Sequence, residues 1–438
     1  MPVLRTEAAA REALRGIRAA NDPDPLGATA RAVWSVLAEP GDGDAGAVIA
    51  ALGPLEALRA VTAEGAPELD AARARWMPRL RPNAVSGALD AARRCGARLL
   101  LPSDEEWPPG LDDLGTHAPV ALWARGRAVE PPPPAVALVG ARAATAYGEG
   151  VAADLAADLV ADGAVVVSGA AYGIDGASHR AALAAGGRTV AFLAGGVDRA
   201  YPRGHEAMLA RIVEAGAVYS EVPCGTAPTK WRFLARNRMI AAMADVVVVV
   251  EAGWRSGSLN TAAHAASLGR ALGAVPGPIT SAASAGCHRV LREFGGTCVT
   301  SAEDVLELLG SERAGDRVAT VATGERARAG SPSGRAAVVV TTPQTPRPAG
   351  DAASAVAPAR GGGSGAPHRA AQTDDTTRVL DALSPRVSRT VDEVARRSGL
   401  AADDAAVLLG FAALEGRVER DGEGGWRTPG RRSARETR

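Results

Sequence analysis

The sequence predicts an α/β protein centred on a doubly wound, mostly parallel sheet, preceded by a small helical domain and followed by a second small domain of helices and a hairpin. Three observations lead there. Six short apolar runs recur with helix-length segments between them, the first ninety or so residues carry a helical composition, and a patternless stretch separates the sheet from the C-terminal helices.

Residues 1–93 are rich in Ala, Leu, Arg and Glu, with helical stretches expected over Thr6 to Ala20 and Pro67 to Met77 and breaks near Pro40 and Gly53. From 94 to 310 the texture changes. Val136–Val139, Val165–Val167, Val190–Leu193, Val218–Ser220, Val246–Val250 and Ala271–Val275 are apolar almost throughout instead of alternating. Such runs suit strands covered on both faces, and the intervening lengths accommodate crossover helices, so this segment reads as a Rossmann-like domain. Leu101 to Gly126 looks like a strand-poor lead-in to it. Residues 311–370 hold Pro, Gly, Ser, Thr and Ala with 8 Arg against 4 acids and read as a disordered linker. Beyond it, Arg378–Leu383, Thr390–Ser398 and Asp403–Leu414 read as helices and Val418–Arg427 as a hairpin turning at Gly422 to Gly425. Three helices and a wing over 371–430 make a winged-helix domain.

The chain has 49 basic and 49 acidic residues, so no global field announces a polyanionic partner and any such site must be local. Only one of the 49 cations is a lysine, Lys230. Cys95, Cys224, Cys287 and Cys298 fall at no metal-ligand or redox spacing, and free thiols are expected. The first residues lack a signal-peptide pattern, and no apolar run is long enough to span a bilayer, so the expectation is a cytoplasmic protein with no membrane partner.

In a parallel α/β sheet the loops at the strands' carboxyl ends face one crevice, where helix N-termini present free N–H groups to anions. After the first central strand, Gly140 permits a tight turn, and Arg142 and Thr145 are a guanidinium and a hydroxyl suited to phosphate. The next strand ends in Ser168-Gly169-Ala170-Ala171-Tyr172-Gly173-Ile174-Asp175, a glycine-flanked loop that lets backbone approach a ligand. Asp175 is read as a helix N-cap that ties down this loop, with general-base chemistry as the alternative; His179 and His205 read as helix-face or loop residues. Lys230-Trp231-Arg232-Phe233-Leu234-Ala235-Arg236-Asn237-Arg238 mixes cations, aromatics and an amide as single-stranded nucleic acid requires, although a basic helix with Trp231 and Phe233 in the core has the same composition. Ser256, Gly257 and Ser258 form a further glycine and hydroxyl loop. No GxxxxGK[ST], HExxH, CxxC or GxSxG is present, which removes the main support for ATPase, zinc protease and lipase readings. The GxGxxA at Gly148 to Ala153 follows an eight-residue loop and does not make a dinucleotide site.

Seven ordered motifs resemble the DprA/Smf family: Gly140-Ala141-Arg142 with Tyr147-Gly148; Ser168-Gly169 through Gly173-Ile174-Asp175; Gly195-Gly196-Val197-Asp198 with Tyr201-Pro202; Ser220-Glu221-Val222-Pro223; Phe233 with Arg236-Asn237-Arg238; Ser256-Gly257-Ser258-Leu259 with Thr261-Ala262; and Gly269-Arg270 with Val275-Pro276-Gly277. The resemblance implies a homodimeric protein of natural transformation and recombination that binds and protects single-stranded DNA and helps load the recombinase RecA, without cofactor, metal or catalysis. It carries over Arg142, Lys230, Phe233, Arg236 and Arg238 as DNA contacts. Tyr172 stands where many members have arginine, and Leu234 where proline usually follows the phenylalanine. The helix at Asp403–Leu414 has two aspartates and no cation before Arg417, so a protein-contact or regulatory role is expected of it instead of duplex reading. The alternatives are a phosphoribohydrolase-type enzyme, whose Pro-Gly-Gly-x-Gly-Thr is absent, and a nucleotide-sensing regulator using the same loops.

Overall fold

The computed structural model describes residues 4–63, 69–126, 134–310, 375–414, 417–421 and 424–429; the expected linker lies outside them. Among the described residues nine strands form one sheet: β1 (Arg98–Leu100), β2 (Leu122–Gly126), β3 (Ala135–Gly140), β4 (Val165–Ser168), β5 (Thr189–Phe192), β6 (Ala217–Ser220), β7 (Val246–Glu251), β8 (Ala271–Ala274) and β9 (Thr297–Cys298). Their order is β1-β2-β6-β5-β4-β3-β7-β8-β9. From β3 to β9 every pair is parallel, whereas β2 runs antiparallel to both β6 and β1. The lead-in before residue 126 therefore supplies the last two strands on one side of the sheet, more than its sequence suggested. Three-residue β1 is too short to show a period, and the glycine-rich 3-10 segment Pro109–His117 lies between the pair.

The expected six strands all form, because each can place alternate side chains into two apolar layers. Val136 and Leu138 of β3 join the layer closed by Leu155 and Leu159, while Ala137 and Val139 join the opposite layer closed by Met239, Ile240 and Leu259. Fully buried strands of this kind gain about 1.5–3 kcal/mol per large aliphatic side chain from burial. A third apolar layer packs the helices Ala84–Cys95 and Glu206–Ala215 on the edge made by β1, β2 and β6.

The N-terminal helices form their own core around Trp34 and Trp76, whose rings meet edge to face at 5.1 Å. Each indole N–H has an acceptor: the Pro54 carbonyl at 3.0 Å for Trp34 and the Asp42 carboxylate at 2.8 Å for Trp76. At the C-terminus, helices Asp375–Asp381, Val391–Ser398 and Ala402–Leu414 with the ladder β10 (Glu419–Arg420) and β11 (Trp426–Arg427) give the expected winged helix. Thr390 and Glu393 form a reciprocal capping box at the start of its second helix. No single helix among the described residues is long and apolar enough to cross a membrane.

The helical domain is fastened to the sheet domain by a buried ion triad. Glu39 accepts from Arg232 Nε at 3.0 Å and Nη2 at 2.7 Å and also pairs with Arg79. Burial alone would raise the Glu39 carboxyl, but the two guanidiniums hold it at about 2. A depressed carboxyl contributes stability that is full above its unfolded value and is lost as pH falls through the folded one, here from about 4.5 toward about 2. Glu39→Gln is expected to cost about 3–5 kcal/mol in denaturant unfolding at neutral pH, by leaving two buried cations underpaired. The variant's stability should also fall less steeply than wild type over that acid window.

Candidate nucleic-acid interface

The chain runs outward from β3 to β6 and then returns to place β7 beside β3, so the strand order reverses between β3 and β7. The following helices leave to opposite faces, Ala146–Ala161 against one apolar layer and Ser258–Ser267 against the other. A crevice opens above the carboxyl ends of these strands. It requires backbone without side chains at its base: a Cβ on Gly140 would lie 2.4 Å from Ile174 Cγ1 and 2.8 Å from the Glu251 carbonyl.

The two loops beside the switch point are joined through Glu251, the last residue of β7. The Thr145 hydroxyl donates to its carboxylate and accepts from Gly148 N–H at 3.1 Å, capping the Ala146–Ala161 helix. Thr145 is thus engaged by the protein itself. Ser168 is fully buried and donates to the Leu138 carbonyl at 2.7 Å. Asp175 accepts from the N–H groups of Gly169 at 3.2 Å and Ala171 at 3.3 Å, so it ties the loop down, but from inside the first turn of its helix and not as the expected N-cap, a position held by Gly173. Gly173 has φ of 74°, and a Cβ there would sit 2.2 Å from the Ala141 carbonyl; the two crevice loops touch only because it is glycine. His179 and His205 are buried behind this loop, bonded through Nδ1 to the Thr189 hydroxyl at 2.7 Å and the Ala170 carbonyl at 3.0 Å.

The basic helix Lys230–Met243 crosses beneath the crevice, and most of its arginines point inward. Arg232 is held by Glu39, and Arg238 donates from Nη2 to both Glu221 carboxylate oxygens at 2.8 and 2.7 Å and from Nε to the His117 carbonyl at 2.9 Å. Asn237 donates to the Gly257 carbonyl at 3.1 Å, fixing the loop in which the Ser256 and Ser258 hydroxyls meet at 2.7 Å. Arg236 lies directly under the β4 loop, donating to the Phe192 carbonyl at 2.9 Å. A Cβ on Gly169 would come within 1.6 Å of its Nη1, so Gly169 is there to admit the guanidinium.

The residues that face solvent form a smaller group. Arg142 is exposed, with its guanidinium 4.5 Å from the centroid of the Phe233 ring, and Tyr201 packs on the same ring at 5.3 Å. Tyr172 is 51% exposed and rests edge-on against His205 at 4.8 Å, while Lys230 is exposed at the start of the basic helix. In the sequence Tyr201 stands out only as part of a Tyr-Pro motif, and nothing there marks the exposed Tyr147 and Trp254 of the neighbouring loops as contacts. Their common signal is an aromatic in the loop or first helical turn that follows a strand's carboxyl end.

Arg142 and Arg236 meet the buried Asp175 carboxyl in the crevice of a chain that is neutral overall. Burial lowers Arg236 to about 10 despite the pull of Asp175, and the nearby Arg142 guanidinium lowers it further. Burial likewise pushes Asp175 above the usual carboxylate range against the attraction of Arg236. Two guanidiniums therefore share one reluctant carboxylate, and an anion arriving at Arg142 would relieve the imbalance.

Residues 98–310 match the DNA recombination-mediator protein A family, and residues 364–424 match the DprA winged helix domain. A Mycobacterium tuberculosis chain named as a DNA processing protein DprA is 49% identical over 305 residues, which span 66% of this chain and 77% of that relative. The chain belongs to the DprA/Smf family. The DNA processing protein DprA of Streptococcus pneumoniae is 41% identical over 207 residues, covering 46% of this chain and 71% of its own. The solved structure of that DNA processing protein A aligns with a TM-score of 0.46 and 36% identity over 52% of this chain and 82% of the other. Membership places the protein among DNA-processing proteins, and the crevice is where this family member concentrates exposed cations and rings.

The buried and exposed arginines should behave differently when truncated. Arg238→Ala leaves Glu221 buried and unpaired and is expected to lower unfolding stability by about 3–5 kcal/mol, whereas Arg142→Ala should stay within about 0.5 kcal/mol of wild type. Thermal melts with equilibrium denaturation would read both. Gly169→Ala should displace Arg236 or strain the loop at a cost of about 1–3 kcal/mol.

Proposed function

We propose that the protein binds single-stranded DNA in this crevice as a non-catalytic, cytoplasmic DNA-processing factor of transformation and recombination, protecting the strand and helping to load RecA as a homodimer. The observation that carries the reading is the group Arg142, Phe233 and Tyr201 with Tyr172 beside it. Single-stranded DNA presents phosphates and unstacked bases together, and a guanidinium lying on an aromatic platform answers both. Family membership supports the DNA substrate; the exposed cations Arg142 and Lys230 support a polyanion.

In this reading Arg142 and Lys230 take phosphates, and Tyr172, Tyr201 and Phe233 offer faces to bases. Ser168, Gly169, Gly173, Thr145, Arg236, Asn237, Arg238 and the Ser256-Gly257-Ser258 loop shape the crevice from behind, and Arg236 adds its field without reaching the surface. A phosphoribohydrolase would need a base poised over the crevice. Asp175 is instead buried and engaged with two backbone N–H groups.

Salt-titrated fluorescence anisotropy with single-stranded and duplex oligonucleotides tests this, with free nucleotides as competitors. Single strands should bind in preference to duplex, with affinity falling as salt rises. Arg142→Ala and Lys230→Ala should each weaken binding by about 10-fold and reduce the slope of log K against log salt by about 0.7. Displacement by a mononucleotide at low concentration would transfer the site to the sensor or enzyme readings, and unchanged binding in both variants would remove the site assignment.

A further inference from the structure

The winged helix rests on the same basic helix that the crevice uses. Helix Asp375–Asp381 lies against the first turn of Lys230–Met243, with the Arg378 guanidinium stacked on the Trp231 ring at 4.5 Å from its centroid. The Asp381 carboxyl lies at the N-terminal turn of that helix, near the backbone N–H of Trp231 and within the field of the Lys230 ammonium. The next helix approaches the ion triad, where Arg79 donates to the Arg396 carbonyl at 3.3 Å and Gly399 lies against Glu39.

These contacts copy, group for group, what a nucleotide would offer. A carboxylate at a helix N-terminus beside a lysine occupies the place of a phosphate. A planar guanidinium on an indole occupies the place of a stacked base. We propose that the winged-helix domain is a self-inhibitory lid on the DNA path: Asp381 takes the phosphate position at Lys230, Arg378 takes the base position on Trp231, and single-stranded DNA must displace both to extend along the Lys230 helix.

The seam is built to open. Trp231 Nε1, Arg378 Nε and Asp381 Oδ2 are buried in it without a hydrogen-bond partner, so closure leaves three polar groups unsatisfied that solvent or DNA would satisfy on release. Burial accordingly raises the Asp381 carboxyl despite Lys230. The domain also keeps its own apolar core of Val379, Leu383, Val394, Leu400 and Leu409, so release does not require it to unfold.

The inference rests on the proposed DNA site. If the lid is closed about nine-tenths of the time, abolishing closure tightens binding by about 10-fold, the reciprocal of the open fraction. The test uses the full chain with Asp381→Asn, which is isosteric, and Arg378→Ala, binding an oligothymidylate of about 30 nucleotides. Both variants should bind more tightly than wild type, by about 3- to 10-fold, even though Arg378→Ala removes a cation. Hydrogen exchange should show that DNA protects the loops at 141–145 and 168–173 and exposes 375–381. Wild-type binding with variants equal or weaker, or protection of 375–381 by DNA, would overturn the lid and leave the crevice assignment standing. No binding by wild type or either variant would remove the crevice reading and the lid with it. Binding only by the variants would support both.

Discussion

The structure depends on the burial of arginine charge along one helix. Arg232, Arg236 and Arg238 are each at most 6% exposed, and a buried guanidinium is tolerable only when its donors are met. Glu39 reaches Arg232 from the N-terminal domain, 193 residues away in sequence, and Glu221 reaches Arg238 from the end of β6. Arg236 has no such full partner; it leans on a strand-end carbonyl and on the field of Asp175. The first two pairs fix the helix in position. The third has no ion pair of its own and shares the field of Asp175 with Arg142 under the crevice. One helix thus provides both the fastening of the helical domain and the buried cation beneath the proposed DNA site.

The sheet could be read from the sequence because apolar strands buried on both faces have few other uses, and the six runs chosen on that ground are β3 to β8. Strands β1 and β2 escaped because runs of three and five residues on either side of a 3-10 segment leave no period to see. The three winged-helix helices and the wing were legible for a different reason: caps and breaks such as Thr390, Gly399 and Gly424 bound each element.

The crevice loops were legible as glycine-rich turns after strands, but the division of labour among their side chains was not. Composition gives Arg142, Arg236 and Arg238 the same meaning, a cation near a strand end. Their difference lies in whether a carboxylate from elsewhere in the fold arrives to pair with them, which is a long-range fact. The same limit explains Thr145 and Ser168, whose hydroxyls look available for phosphate and are instead satisfied by Glu251 and the Leu138 carbonyl. Asp175, whose loop-tying role follows from its place in the first turn after a glycine loop, was readable because that role is local.

A neutral chain can still offer a polyanion a site if its acids are placed where its cations must be neutralised and withheld where they must not. Glu39, Glu221 and Glu251 sit beneath the surface, engaged with arginines or with a threonine cap, and none faces the exposed group of Arg142, Tyr172, Tyr201, Phe233 and Lys230. Buried Asp175 acts on Arg142 from within the crevice wall, whereas the acid whose field acts on Lys230, Asp381, comes from the winged helix. Compensation of the site is therefore separable from the fold that builds it: the crevice keeps its charge whether or not the winged helix is docked, and the balance at Lys230 is decided by a domain that can leave with its core intact.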